Sequence, residues 1–355
     1  MLPDLGGGGA QRVMLNLARA LDPARFSLCI VAIGPADDLV ADLPPSAQVE
    51  RLNASRLRAS LPRLVSVLRR AKPDVVVCTL GYINLALLAL RPLIGGNVRI
   101  IAREANVVSA TLRAMPGFLP SRRLYAWLYP RAAAIIAQTE DIAAEIAALA
   151  PDAKSCVEIL PNPVDEVALR SRAAAPVRRP GDGLRLVAAG RLTHQKGFDR
   201  LVTLMREMEP STELTIYGEG PDRASLEQQI AQLGLGDRVS LPGFSSGLPA
   251  AIAGADLFVL PSRWEGVPNV VLEALALGTP VVASDDARIH DVVLEAPSAA
   301  VTIASVGTAF VTAIGAHRPN PAASPRPSLL PERYRMATVT ARFAALLTRV
   351  ARSPA

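Results

Sequence analysis

Short apolar, β-rich runs alternate with stretches of helical periodicity along almost the whole chain. In the first half, "FSLCIVAI", "DVVVCTL", "VRIIA" and "AAIIAQ" read as buried parallel strands. Between them, "QRVMLNLARAL", "LPRLVSVLRRA" and "TEDIAAEIAALA" have helical periodicity. In the second half, "LRLVAAG", "ELTIYG", "RVSLPG", "DLFVLPS" and "PVVAS" are predicted strands, separated by helices starting near Phe198, Asp222, Leu248 and Asn269. Strands spaced by helices in this way build βαβ units and a parallel sheet, so the predicted class is α/β.

The period is lost at "LPNPVDEVALRSRAAAPVRRPGDG", which predicts a linker over about 160–183. A second proline-rich piece, "PNPAASPRPSLLP", precedes a final helix from "ERYRMATVTARFAALL". A chain of 355 residues is long for one core. The expectation is two Rossmann-like domains, 1–165 and 166–330, and a C-terminal helix in 331–355. In open α/β sheets ligands bind beyond the strand C-termini, so two such domains facing each other would hold the site in a cleft. Only "MLPDL" precedes "GGGG", so the first strand of the first domain is expected to be missing or cut short.

Composition narrows the class further. Half the residues are apolar, 20% are charged and the mean hydropathy is +0.28, values of a globular chain. The best candidate for a membrane span, "INLALLAL", is short and carries Asn84, so none is expected. The first residues have neither a basic nor an apolar leader segment, so no signal peptide is expected. Cys29 and Cys78 are expected to be buried in strands, and Cys156 stands alone. With three scattered histidines they offer no metal-ligand spacing, and a cytoplasmic compartment is expected. The net charge of +6 is concentrated: Arg51 to Arg131 holds fourteen Arg and Lys against two acids. Such a stretch attracts phosphates, anionic lipid or nucleic acid, or is simply a solvated surface; charge alone leaves both open.

Four motifs carry candidate chemistry. "GGGGAQRVMLNLARAL" places glycines, Gly8 and Gly9 among them, before a helix whose first amides favour an anion. In "GRLTHQKGFDRL" a strand ends at Gly190, and Arg191 and Lys196 then sit at the mouth of the sheet, where two cations can neutralise a diphosphate leaving group. His194 in that loop is expected to be exposed rather than catalytic. In "YGEGPDRASLEQQIAQLGLGDRVSLPGF", Gly218 and the Gly243–Phe244 turn would let backbone approach a base. In "RWEGVPNVVLEALALGTPVVAS", Glu265 projects from a loop after a strand, Asn269 is a plausible N-cap, and Glu273 stands four residues on, near the helix start. Amides around Val270 and Val271 point to the same region.

The order of these motifs resembles the retaining glycosyltransferase family 4, of GT-B fold, and the resemblance spans nearly the whole chain. It is densest from Leu184 to Ser284, where the family's E-x7-E pair stands as Glu265 and Glu273; "KPDVVVC", "YPRAAAIIAQTEDIA" and "LPNPVD" extend it into the first half. It implies a nucleotide-diphosphate sugar donor on the second domain. Arg191 and Lys196 would hold the diphosphate, Glu265 the sugar hydroxyls and Glu273 the ribose. The first domain would bind a glycan or polyprenyl-linked acceptor, with the loop Gly6–Gly9 near the donor phosphate and the last helix bracing that domain. No cofactor, metal or nucleic acid is implied, and no Asp-x-Asp occurs. "MPGFLPSRRLYAWLYP" interleaves Phe118, Tyr125, Trp127 and Tyr129 with Arg122 and Arg123, which suits an anionic membrane surface on the inner face of the plasma membrane, or an ordinary helix with an aromatic face.

Besides the short first strand, two departures accompany the resemblance. Where many relatives carry a histidine facing the donor sugar, "IIAREANVVSA" has Arg103, Glu104 and Asn106 as sugar or acceptor contacts. After "PVVAS" a Gly-Gly-x-x-Glu turn is replaced by "DDARIHDVVLEAPSAAVTI". A second reading therefore stays open, a GT-B scaffold that binds a nucleotide or glycan without turnover.

Overall fold

The computed structural model describes residues 1–6, 8–95, 98–105, 107–109, 112, 122–173, 183–319 and 326–353. Asn106 and Phe118 lie outside them. The chain divides into two compact units: Met1–Pro163 with Met336–Ala355, and Val164–Arg335.

Unit 1 runs α1 (Gly9–Ala20), β1 (Cys29–Ala32), β2 (Gln48–Arg51), α2 (Leu57–Ala71), β3 (Val75–Thr79), α3 (Gly81–Ile94), β4 (Arg99–Arg103), α4 (Arg122–Leu128), β5 (Ala134–Ala137), α5 (Glu140–Leu149) and β6 (Val157–Ile159). Strands β3-β4-β5-β6 form one parallel sheet, and β1-β2 a separate parallel pair. Apolar runs become strands here because both faces are covered: β5 is buried at every residue. Thr139 ends the β5 segment and caps α5 by accepting from the Ile142 amide at 3.2 Å. Ahead of α1, Leu2 makes a parallel bridge to Ala32 of β1. Cys29, expected to be buried, is exposed at the start of β1, while Cys78 is buried.

Unit 2 runs α6 (Glu166–Arg172), β7 (Arg185–Ala189), α7 (Phe198–Leu204), β8 (Glu213–Tyr217), α8 (Arg223–Gln232), β9 (Val239–Gly243), α9 (Leu248–Gly254), β10 (Leu257–Leu260), α10 (Asn269–Ala276), β11 (Val281–Ser284), α11 (His290–Glu295), β12 (Val301–Ala304) and α12 (Thr308–Gly315). Its six strands are parallel, in the order β9-β8-β7-β10-β11-β12. Alternate residues divide between two cores: Val187, Ala189, Phe258 and Leu260 face one, Leu186, Ala188, Leu257 and Val259 the other. The winding reverses between β7 and β10, and a crevice at their C-terminal ends is where such sheets bind ligands.

Part of the predicted linker is helical. Glu166–Arg172 forms α6, whose cap Asp165 accepts from the Ala168 amide at 2.9 Å. Leu169 packs into the unit 2 core. The final helix, α13 (Met336–Arg352), belongs to unit 1. Its buried stripe of Val339, Phe343, Leu346, Leu347 and Val350 joins Val13, Leu15 and Leu17 of α1 in one core.

Candidate active site

The two loops that leave β7 and β10 are tied together by side chains. The Arg200 guanidinium donates to the carbonyls of Pro261 at 2.8 Å and Ser262 at 2.7 Å. Arg263 reaches the other way, gripping both oxygens of Asp199 at 2.8 and 2.6 Å and the His194 carbonyl at 2.7 Å. Gln195 donates to the Trp264 carbonyl at 3.0 Å. The Arg263 guanidinium holds the Asp199 carboxyl below its ordinary value. These planar, forked donors fix geometry as well as charge.

Within that frame the Lys196 ammonium donates to both oxygens of Glu265, at 2.7 and 2.9 Å. Glu265 also accepts from the Ser262 hydroxyl at 2.5 Å and is only 7% exposed, so it does not project freely from its loop as its sequence position suggested. Lys196 is half-buried and Arg191 is exposed. Arg191 makes no ion pair among the described residues, and His194 is exposed beside the Trp264 ring.

Glycines let the strand ends converge. A Cβ on Gly218, at φ +136°, would stand 2.0 Å from the Gly190 carbonyl oxygen, and one on Gly190 would meet the Lys196 side chain at 3.2 Å. The Gly218 amide in turn donates to the Gly243 carbonyl at 2.9 Å. There is thus no room for a side chain between Gly190 and Lys196 or between Gly218 and Gly190, at the end of the sheet where Lys196 binds Glu265 and Gly218 binds Gly243. Phe244, 79% exposed, follows on the same edge.

At the start of α10 the structure corrects the sequence reading. Pro268 occupies the cap, Asn269 is the first helical residue, and the Val271 amide donates to the Pro268 carbonyl at 2.9 Å instead of facing outward. Proline fixes φ near the value a cap needs, which displaces the expected asparagine cap by one residue. Val270 and Glu273 are half-buried, and Glu273 stands one position deeper in the helix than expected.

The remaining candidates lie in unit 1. Gly8 is the N-cap of α1 and Gly9 its first residue. Asp4 accepts from the Gly6 amide and from Gln11 Nε2, each at 2.9 Å, so the glycine loop is anchored. Arg103 and Glu104, read as sugar or acceptor contacts, are each only 2% exposed. Arg103 donates to Thr79 Oγ1 at 3.2 Å and Asn162 Oδ1 at 2.7 Å; Glu104 accepts from Asn84 at 3.1 Å and from the Tyr129 hydroxyl. In this conformation the two residues hold an internal polar network rather than a surface.

Burial raises the Glu104 carboxyl from 4.5 to about 7, against the opposing pull of Tyr129, Asn84 and Arg103. Between those two pH values the native state therefore holds a proton that the unfolded chain has lost, and stability falls as pH rises through that window. Glu104→Gln is expected to flatten the slope and to be more stable than the parent at pH 8 by on the order of 2 kcal/mol. Urea midpoints at pH 4.5 and pH 8 for both proteins check this; parallel curves would refute it.

The overall fold recurs among solved structures. That of Anabaena HepE in complex with UDP matches with a TM-score of 0.73 over 98% of both chains, at 16% sequence identity. The fold is the GT-B fold of glycosyltransferases. Two family models match in tandem: Glycosyltransferase Family 4 over residues 7–167 and Glycosyl transferases group 1 over residues 170–313. Among relatives, the lipopolysaccharide core biosynthesis glycosyltransferases LpsD and LpsE of Rhizobium meliloti are 28% and 27% identical, each over 78% of this chain and over 75% and 76% of their own lengths. The chain belongs to the family 4, group 1 glycosyltransferases and is a transferase enzyme.

Proposed function

We propose that this glycosyltransferase moves a hexosyl or N-acetylhexosaminyl group, with retention, from a nucleotide-diphosphate sugar to a glycan or lipid-linked acceptor in surface polysaccharide synthesis. The carrying observation is the Lys196–Glu265 pair at the switch point of the unit 2 sheet, with exposed Arg191 on the same loop. An ammonium has three donors, and the carboxylate uses two of them, which leaves one for a phosphate oxygen. As the glycosyl–phosphate bond breaks, negative charge grows on the departing diphosphate, and Lys196 and Arg191 are the cations in place to stabilise it. Glu265 keeps lone pairs for sugar hydroxyls. No cofactor or metal enters this scheme.

The similarity to polysaccharide glycosyltransferases and to a UDP complex supports the donor and acceptor classes. The same reading sets an anionic bilayer against unit 1. Trp127 is 58% exposed with the Arg131 guanidinium 3.9 Å over its ring, and Arg122 and Arg123 are exposed nearby, whereas Tyr125 and Tyr129 belong to the core. No described helix is long and apolar enough to cross a membrane. The test is a transfer and donor-hydrolysis assay with UDP-, GDP- and ADP-sugars, with and without anionic vesicles, and with product anomers assigned by NMR. Turnover of one donor with its anomeric configuration kept is expected, and faster with vesicles. Tight donor binding with no turnover under any condition would favour the scaffold reading.

A further inference from the structure

The segment that follows β11, where "DDARIHDVVLE" stands in place of a glycine-rich turn, presents a cation to solvent. Arg288 is exposed, and among the described residues its guanidinium makes no hydrogen bond or ion pair. Acids close to it in the chain are engaged elsewhere. Asp285 accepts from the Ser305 hydroxyl at 2.6 Å, Asp286 from Arg200 at 2.7 Å, and Glu295 from Arg333. The Arg288 backbone is left-handed, at φ +53° and ψ +46°, a conformation that glycine adopts freely and a residue with a Cβ resists. Its neighbours impose it: Ala287 and Ile289 are both buried in one core, so the residue between them is turned outward. Strain of this kind persists where packing over-determines it, and it gathers at ligand sites.

The residue stands at the ligand end of the unit 2 sheet. β11 pairs with β10, and adjacent strands lie about 4.8 Å apart, a distance that an arginine stem spans. The Ser284 hydroxyl at the end of β11 donates to the Ser262 carbonyl at 2.5 Å. That carbonyl also accepts from Arg200, which holds Asp286 as well. The Arg288 loop is thus tied to the loop that carries Glu265. Most cations of these loops are matched: Arg200 by Asp286, Arg263 by Asp199 and Lys196 by Glu265. Arg191 and Arg288 have no carboxylate partner among the described residues. One follows β7 and the other β11, on either side of β10.

We infer that Arg288 is a further donor-binding residue: its guanidinium takes an oxyanion of the nucleotide-sugar donor, across β10 from Arg191. This rests on the reading of unit 2 as the donor-binding unit. A nucleotide-diphosphate sugar offers two groups of that chemistry. One is the diphosphate, whose charge the two unmatched guanidiniums balance. The other is a carboxylate, where the sugar is a uronic acid. Either accepts a forked pair of N–H bonds, which a planar guanidinium supplies and a glycine turn does not.

The test uses the full chain and its Arg288→Gly and Arg288→Gln variants. Melting shifts with UDP, GDP and ADP select the base. Calorimetric titration then compares the nucleoside monophosphate, the diphosphate, and the matching neutral and uronic-acid donors. Arg288→Gly is expected to melt no lower than the parent, because glycine relieves the strain, so its lost binding is not lost folding. Both variants are expected to bind about tenfold more weakly, as the loss of a charge-assisted bond implies. A loss shared by the diphosphate and both donors, with the monophosphate changed least, assigns the guanidinium to the diphosphate. A loss confined to the uronic-acid donor assigns it to the carboxylate. Parent-like affinities throughout, an equal loss that includes the monophosphate, or a loss in Arg288→Gly alone overturns the inference while the donor reading stands. No shift of the parent with any nucleotide overturns the donor reading and this inference with it.

Discussion

On the proposed reading, Lys196→Met is expected to lower kcat/KM for the nucleotide-sugar donor by about 10²–10³-fold, because it would remove the cation that the proposal sets against the departing diphosphate. It also strands a carboxylate that is 7% exposed and otherwise held by the Ser262 hydroxyl, so the single variant loses stability as well. The double variant Lys196→Met, Glu265→Gln separates the two effects. It relieves the unpaired charge, so its urea midpoint is expected to return most of the way to the parent value, while its activity stays low. Activity that recovered in step with stability would show that the lysine serves folding and not transfer.

Gly218→Ala is the second large effect. The residue has φ +136°, and an added Cβ would stand 2.0 Å from the Gly190 carbonyl oxygen and 3.0 Å from its carbon. Neither atom is the end of a flexible side chain, so the backbone of β7 or β8 has to move. A loss of at least about 3 kcal/mol follows from combining left-side φ strain with a core-level clash. Gly236→Ala is the control: nothing lies within 4 Å of its added Cβ, and a change within about 0.5 kcal/mol is expected. Because the Lys196 side chain fills the space over Gly190, any Gly218→Ala protein that still folds is also expected, on the proposed reading, to transfer sugar poorly. Urea titration and the donor assay together check both parts; parent-like behaviour in both would refute the close packing of these strand ends.

Strands β7 and β10 at the switch point were legible because they are apolar and almost wholly buried, and because β7 runs into Gly190 and β10 into Pro261. Strands β2, β6 and β12 escaped notice for the opposite reason: their residues are half-buried or exposed, so no apolar run marks them. The motif residues could be placed at strand ends from local pattern, but the Lys196–Glu265 bond could not, since it joins residues 69 apart through a strand order that only the folded sheet reveals. The same holds for Arg263 and Asp199, whose pairing frames the site although neither residue stood out in its motif. Arg103 and Glu104 stand as sugar or acceptor contacts only through the family resemblance, and nothing in their local pattern marks them as buried. Their actual partners, Thr79, Asn84, Tyr129 and Asn162, are scattered over the chain and carry no shared signal.

The placement of α13 has a consequence for how the chain is made. Unit 2 is one continuous stretch, Val164–Arg335, whereas unit 1 needs Met336–Ala355 from the far end. On a ribosome, the second unit can close its cores while the first, though synthesised earlier, still lacks the helix that covers Val13, Leu15 and Leu17. Assembly therefore runs against the order of synthesis, and the nascent first unit keeps an apolar face uncovered until the last helix has emerged.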